Sequence, residues 1–98
     1  MTGDIILDIL RKNRDGIKAL GVKQIALFGS YANNNYQNSS DIDILVEFDP
    51  SKKTFDNFMD LKFFLEALFP GKKIDIAIKE NIKNRLKEKI YSEAQYAS

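Results

Sequence analysis

The chain has 98 residues, a net charge of +1, 44% hydrophobic and 30% charged residues, and neither cysteine nor histidine. That length suits one small domain over 1–98 with a single core and no second domain to hold a substrate, and so even a charge balance sets up no global field for nucleic acid, which is not an expected partner. Disulfides, thiolate zinc sites, cysteine nucleophiles and histidine triads are excluded, leaving carboxylates as the strong candidates for metal binding or base chemistry near neutral pH.

The opening "MTGDIILDILRKNRD" sets acids within its apolar stretch, so neither a signal peptide nor a membrane span is expected. With no cysteine in use, a cytoplasmic setting is expected. From Asp4 to Leu20, Ile6, Ile9, Leu10, Ile17 and Leu20 recur at helical spacing and predict one helix, with Thr2 or Asp4 as N-cap, Gly16 as its weak point and Gly21 as its stop. "VKQIALF", Val22 to Phe28, is bounded by Gly21 and Gly29 and predicts a strand.

Two alternating runs predict further strands. In "DIDILVEF", Ile42, Ile44 and Val46 face one side and Asp41, Asp43, Leu45 and Glu47 the other; in "KIDIAIK", Ile74, Ile76 and Ile78 oppose Asp75 and Ala77. An isoleucine face packed on helices and an aspartate face left partly open is the simplest arrangement that keeps those acids solvated or ligated. Between these runs, "TFDNFMDLKFFLEALF" carries Phe55, Phe58, Leu61, Leu65, Leu68 and Phe69 on one helical stripe, ended by Pro70-Gly71, while Met59 and Phe63 lie off it as a loop-packing or partner-binding pair. A last helix, from about Asn81 to Ala97, is expected to bury Ile82, Leu86, Ile90 and Ala94. One further short strand has room in residues 47 to 54.

The chemistry-bearing residues gather around the first two strands. Asp41 and Asp43 leave the same strand face with Cα atoms roughly 6.6 Å apart, close enough to converge on one ion or bridge a pair. Mg²⁺ takes oxygen ligands and completes its shell with water and substrate phosphates, and two-metal sites hold their ions about 3.5–4 Å apart. A third carboxylate suits a second ion, and Asp75 is the acid within the later strand. Three acids on one face repel one another unless a cation sits among them. Gly29-Ser30 adds a turn where backbone can approach a ligand and where N–H groups and a hydroxyl can hold phosphate oxygens. The bland alternatives are a plain strand-to-helix turn and a solvated sheet face; each motif alone is weak, and the conjunction at this spacing is strong.

Gly29-Ser30, the residues Tyr31 to Ser40, Asp41-Ile42-Asp43 and the later Asp75 together resemble the nucleotidyltransferase signature of the DNA polymerase beta superfamily. More closely, "LGVKQIALFGSYA", "SSDIDILVEF" and "KKIDIAIKENIKNRLKEKIYSEAQYA" resemble the minimal nucleotidyltransferase (MNT) antitoxins that pair with HEPN toxins. The resemblance implies an α/β (or α+β) domain, a mixed sheet with helices on one face, and transfer of AMP from ATP to a tyrosine hydroxyl of the toxin. It further implies that Gly29 and Ser30 bind the triphosphate, and that Asp41, Asp43 and Asp75 are the catalytic and metal-binding acids, holding Mg²⁺ as two ions. Asp75 would also take the proton of the attacking hydroxyl. The chain departs from the family where Gly-Ser-x is usually followed by Ala-Arg-Gly: here Ala32 is followed by Asn33, Asn34 and Asn35. Asn34 or Asn35 can take a turn glycine's left-handed backbone, but Asn33 supplies no charge, which bears on rate, nucleotide affinity or partner choice. Two rivals to protein AMP transfer follow: an antitoxin that neutralises by binding alone, and nucleotidyl transfer to a small molecule or RNA.

Overall fold

The structure is a computed structural model that describes residues 1–97; the last residue of the expected 1–98 domain lies outside the described residues. Thr2 caps the first helix, α1 (Gly3–Lys12), its side-chain oxygen accepting from the Ile5 N–H at 3.2 Å. The single helix expected over Asp4 to Leu20 is in fact two, because Asn13 breaks it: its side-chain amide donates back to the Ile9 carbonyl at 2.8 Å, and α2 (Arg14–Ala19) restarts beyond it. Gly16 is not the weak point. It sits inside α2, where the Phe64 ring lies 3.0 Å from the place a Cβ would take.

Four strands follow: β1 (Val22–Phe28), β2 (Ile42–Phe48), β3 (Ile74–Ile78) and β4 (Gln95–Tyr96), in the order β3-β2-β1-β4. β1 is antiparallel to both β2 and β4, while β2 and β3 are parallel, joined through the crossover helix α3 (Phe55–Leu68). The mixed sheet and its helix-covered face agree with the expectation. Ile6, Leu10 and Ile17 from α1 and α2 meet Ile25, Leu27, Ile42, Ile44 and Val46 from the strands and Leu61, Leu65 and Phe69 from the α3 segment.

The stripe read onto α3 is corrected at its start, since Phe55 is 76% exposed although Leu61 and Leu65 are fully buried. Phe63 is 60% exposed and so packs under no loop. The extra strand suggested within residues 47 to 54 is instead Asp49 and a 3₁₀ turn, Pro50–Lys52. The additional strand is β4, near the C-terminal end of the sequence. The last helix, α4 (Asn84–Glu93), is shorter than expected and buries no residue; Leu86 is 44% exposed. The chain leaves it at Ala94 in an extended conformation because β1 offers an open edge: Ala26 and Leu27 pair with Tyr96 and Gln95, and the Ala97 N–H reaches the Ile25 carbonyl at 2.9 Å.

Candidate active site

β1 ends where β2 and β3 begin, so the register of the sheet gathers one end of all three strands. Phe28 lies opposite Asp43, and Asp43 lies beside Asp75 on the neighbouring parallel strand. The Ile42 N–H donates to the Lys73 carbonyl at 2.9 Å, tying the residues just before β3 to the start of β2. Period-two alternation then sends Asp41, Asp43 and Asp75 to the same side of the sheet. Farther along, that side is closed, because Ala26 is fully buried and Leu45 nearly so. The end carrying the three aspartates stays accessible, with Asp41 and Asp43 half-buried and Asp75 exposed.

Gly29 opens a 3₁₀ turn, Gly29–Tyr31, with φ +72, a conformation that side chains rarely adopt. A Cβ there would collide with the Asp43 carboxylate, whose Cγ would lie 2.9 Å away. Backbone and carboxylate are therefore in direct apposition, which needs glycine. Ser30 follows at the same end, half-buried, its carbonyl accepting from the Asn35 N–H at 2.9 Å. Asn34 takes φ 63, so of the two asparagines able to replace a turn glycine it is Asn34 that does so.

Electrostatics follow from this crowding. The Asp43 carboxyl is pushed up to about 6, first by burial and then by the neighbouring charges of Asp75 and Asp41. Among the described residues no set of three carboxylates is arranged to hold a metal ion by itself. The donors nonetheless suit a hard divalent cation: all are carboxylate oxygens, they share one sheet end, and their mutual repulsion is relieved by added positive charge. An ion of the Mg²⁺ kind, which keeps waters and takes phosphate oxygens, needs no closed cage of protein ligands.

All five residues singled out in the sequence thus meet at one end of the sheet. Two lysines were not singled out. Lys73 Nζ stands 4.0 Å from the Asp41 carboxylate, and Lys72 Nζ donates to the Tyr31 hydroxyl at 2.8 Å and to the Asn38 carbonyl at 2.7 Å. Their only local signal was position, immediately before the "IDI" of β3. Glu47, on the acid side of β2, is partly buried and pairs with Lys79 at 3.8 Å.

Residues 5–97 match the family model described as a nucleotidyltransferase domain. A Methanocaldococcus jannaschii protein provisionally named a protein adenylyltransferase is 45% identical over 74 residues, covering 76% of this chain and 77% of that protein. The protein adenylyltransferase MntA of Thermococcus cleftensis is 34% identical over 76 residues, covering 78% and 75%. Among solved structures, one described provisionally as a minimal nucleotidyltransferase superposes with a TM-score of 0.74 at 30% identity, over 97% of this chain and 95% of that one. A toxin-antitoxin crystal structure with AMP-PNP shares the fold at a TM-score of 0.63 and 20% identity, over 100% of this chain and 73% of that one. A family match over residues 5–97, joined by relatives 34% and 45% identical over 78% and 76% of the chain, leaves one conclusion: the chain belongs to the nucleotidyltransferase domain family and is a nucleotidyltransferase.

Proposed function

We propose that residues 1–98 act as one minimal unit that moves AMP from ATP to a hydroxyl, a tyrosine for preference, on a cognate HEPN-type toxin, and so serve as its antitoxin. The single observation that carries this reading is the apposition of Gly29 with Asp43, and of Asp43 with Asp75, at the open end of the sheet. The protein adenylyltransferase names of its relatives and the toxin-antitoxin setting of a structure with the same fold support the acceptor.

In this reading Gly29 and Ser30 receive the triphosphate, the turn's free N–H groups and the Ser30 hydroxyl donating to phosphate oxygens. Asp41, Asp43 and Asp75 hold Mg²⁺, which when bound offsets charge on the α-phosphate and the departing pyrophosphate. A tyrosine hydroxyl, with a pKa near about 10, is a poor nucleophile until its proton has somewhere to go. Asp75, the exposed member of the three, accepts that proton as the hydroxyl oxygen bonds to the α-phosphorus and the bond to the β-phosphate oxygen breaks. Incubation of the purified protein and its co-expressed partner with ATP and Mg²⁺ should add one or more AMP masses to the partner, and Asp43→Asn should abolish the increment. An unmodified partner in the wild-type reaction would refute the enzymatic reading.

One observation favours a second reading, neutralisation by binding alone. No Lys or Arg occurs from residue 24 to residue 51, so the loop beside the turn brings no cation of its own to a phosphate. Protection of cells from the toxin by a folded Asp41→Asn, Asp43→Asn double variant is what that reading requires. Loss of protection in a variant that still binds the partner would exclude it. The remaining rival, transfer to a small molecule or an RNA end, requires AMP incorporation into those acceptors under the same conditions.

A further inference from the structure

The loop that joins the Gly29–Tyr31 turn to Asp41 is held in a way its composition does not suggest. Residues 32–40 contain one large apolar group, Tyr36, and their own hydrogen bonds are short-range: Asn35 N–H to the Asn33 side chain at 3.2 Å, Gln37 N–H to the Ser40 hydroxyl at 2.8 Å, Ser40 N–H to the Gln37 carbonyl at 3.0 Å. Such contacts shape turns but do not fix a loop to the body of a protein. The long-range ties come from elsewhere. Gln95 donates to the Ala32 carbonyl at 2.8 Å, and Lys72, 41 residues from Tyr31 in sequence, reaches both flanks of the loop.

We propose that Lys72 is a positioning residue for the nucleotide: by donating at once to the Tyr31 hydroxyl and the Asn38 carbonyl, it holds the Gly29-Ser30 turn and the approach to Asp41 in their binding arrangement. This rests on the nucleotidyl-transfer reading above. Tyr31 is 2% exposed and follows Ser30 directly, so fixing its ring fixes the turn that carries the phosphate-facing groups. Tyr36 stacks on the ring, with centroids 4.5 Å apart and planes 12° from parallel. The Lys72 ammonium lies 5.5 Å from the Tyr31 ring centre, nearly the sum of its 2.8 Å hydrogen bond and the span from a phenol's ring centre to its oxygen. The ammonium is therefore in line with the C–O bond rather than over the ring face, and it acts as a hydrogen-bond donor instead of a cation–π partner. Asn38 precedes Asp41 by three residues, so the second bond restrains the other end of the loop.

A loop ordered before the ligand arrives spares binding the entropy of ordering it, and this appears in ground-state affinity rather than in the chemical step. Lys72→Met should weaken ATP binding about tenfold, comparable with leaving the backbone of one residue free, with kcat at saturating ATP much less affected. Lys72→Arg should restore most of the affinity, because it can still donate to two oxygens. Amide hydrogen exchange across residues 29–40 in the nucleotide-free protein should quicken in Lys72→Met and in Tyr31→Phe, which keeps the stacked ring but removes the hydroxyl. Unchanged exchange there, or unchanged ATP affinity beside a lowered Tm, would overturn the proposal and leave Lys72 a structural residue. Wild-type protein that binds no ATP would sink the functional reading and this role together, whereas normal wild-type binding with no effect of Lys72→Met would sink this role alone.

Discussion

The two ends of β2 carry aspartates treated in opposite ways. At one end Asp49 accepts from the Ser51 N–H at 3.0 Å and the Ser51 hydroxyl at 2.8 Å, and these bonds hold its carboxyl below the usual range. The nearby acids are matched too, Glu47 with Lys79 and Glu80 with Lys53. At the other end Asp43 has Asp75 beside it and Asp41 two residues away, and its carboxyl is pushed up to about 6. An acid with donors around it is stabilised in its charged form by the fold; an acid held among other acids is relieved by a proton or by an added cation. The difference marks the Asp43 end, rather than the Asp49 end, as the candidate site without reference to any relative.

Substitutions can break that contrast. The largest effect belongs to Asp43→Asn, which should reduce AMP transfer about a thousandfold or more, as loss of several kcal/mol of metal-assisted charge stabilisation implies. Intact-mass analysis of the partner over time measures it. Gly29→Ala comes next. It forces a side chain into φ +72, at about 1–2 kcal/mol, and drives its Cβ into the Asp43 carboxylate. Thermal unfolding should show the lost stability, and transfer should fall about a hundredfold as the carboxylate is displaced.

The metal-free protein sharpens the comparison through pH. Because the folded state raises the Asp43 pKa from 3.8 to about 6, it binds that proton more tightly than the unfolded chain does. Asp43 therefore lowers stability progressively as pH rises through that interval, and the penalty is complete above it. Discounted for the carboxyl's partial exposure, the effect is about 1 kcal/mol, or about 4–8 °C in Tm for a domain of this size. Asp43→Asn should remove that slope, so a variant without transfer activity becomes the more stable protein at pH 7 when Mg²⁺ is absent. Smallest of all is Asp49→Ala. It should lower Tm slightly through loss of the turn cap and leave transfer unchanged.

Both ends of β2 were readable in part, and for reasons that differ. Alternation in "DIDILVEF" and "KIDIAIK" is a period-two signal that only a half-buried strand satisfies, so the acids' shared face followed directly. Gly29 was legible because a glycine after an apolar run signals unusual backbone, and φ +72 against a carboxylate is what it proved to permit. The break at Asn13 was not legible, since it depends on a side-chain amide competing for one backbone carbonyl, and Asn is found on both sides of such boundaries. β4 was hidden for a similar reason: two residues carry no periodicity, and they become a strand only because β1 has an open edge. Lys72 lies beyond any local pattern, because its partners stand 41 and 34 residues away.

The central claim is that the sheet end carrying Asp41, Asp43 and Asp75 is a nucleotide and metal site. A titration of the isotopically labelled protein with Mg²⁺ in the presence of ATP, followed by amide chemical shifts, tests it most directly. Saturable shifts centred on residues 29–31, 41–43 and 75, absent in Asp43→Asn and absent around Asp49 in either protein, are the predicted result. No saturable change, or shifts centred on the Asp49 end, would contradict the account.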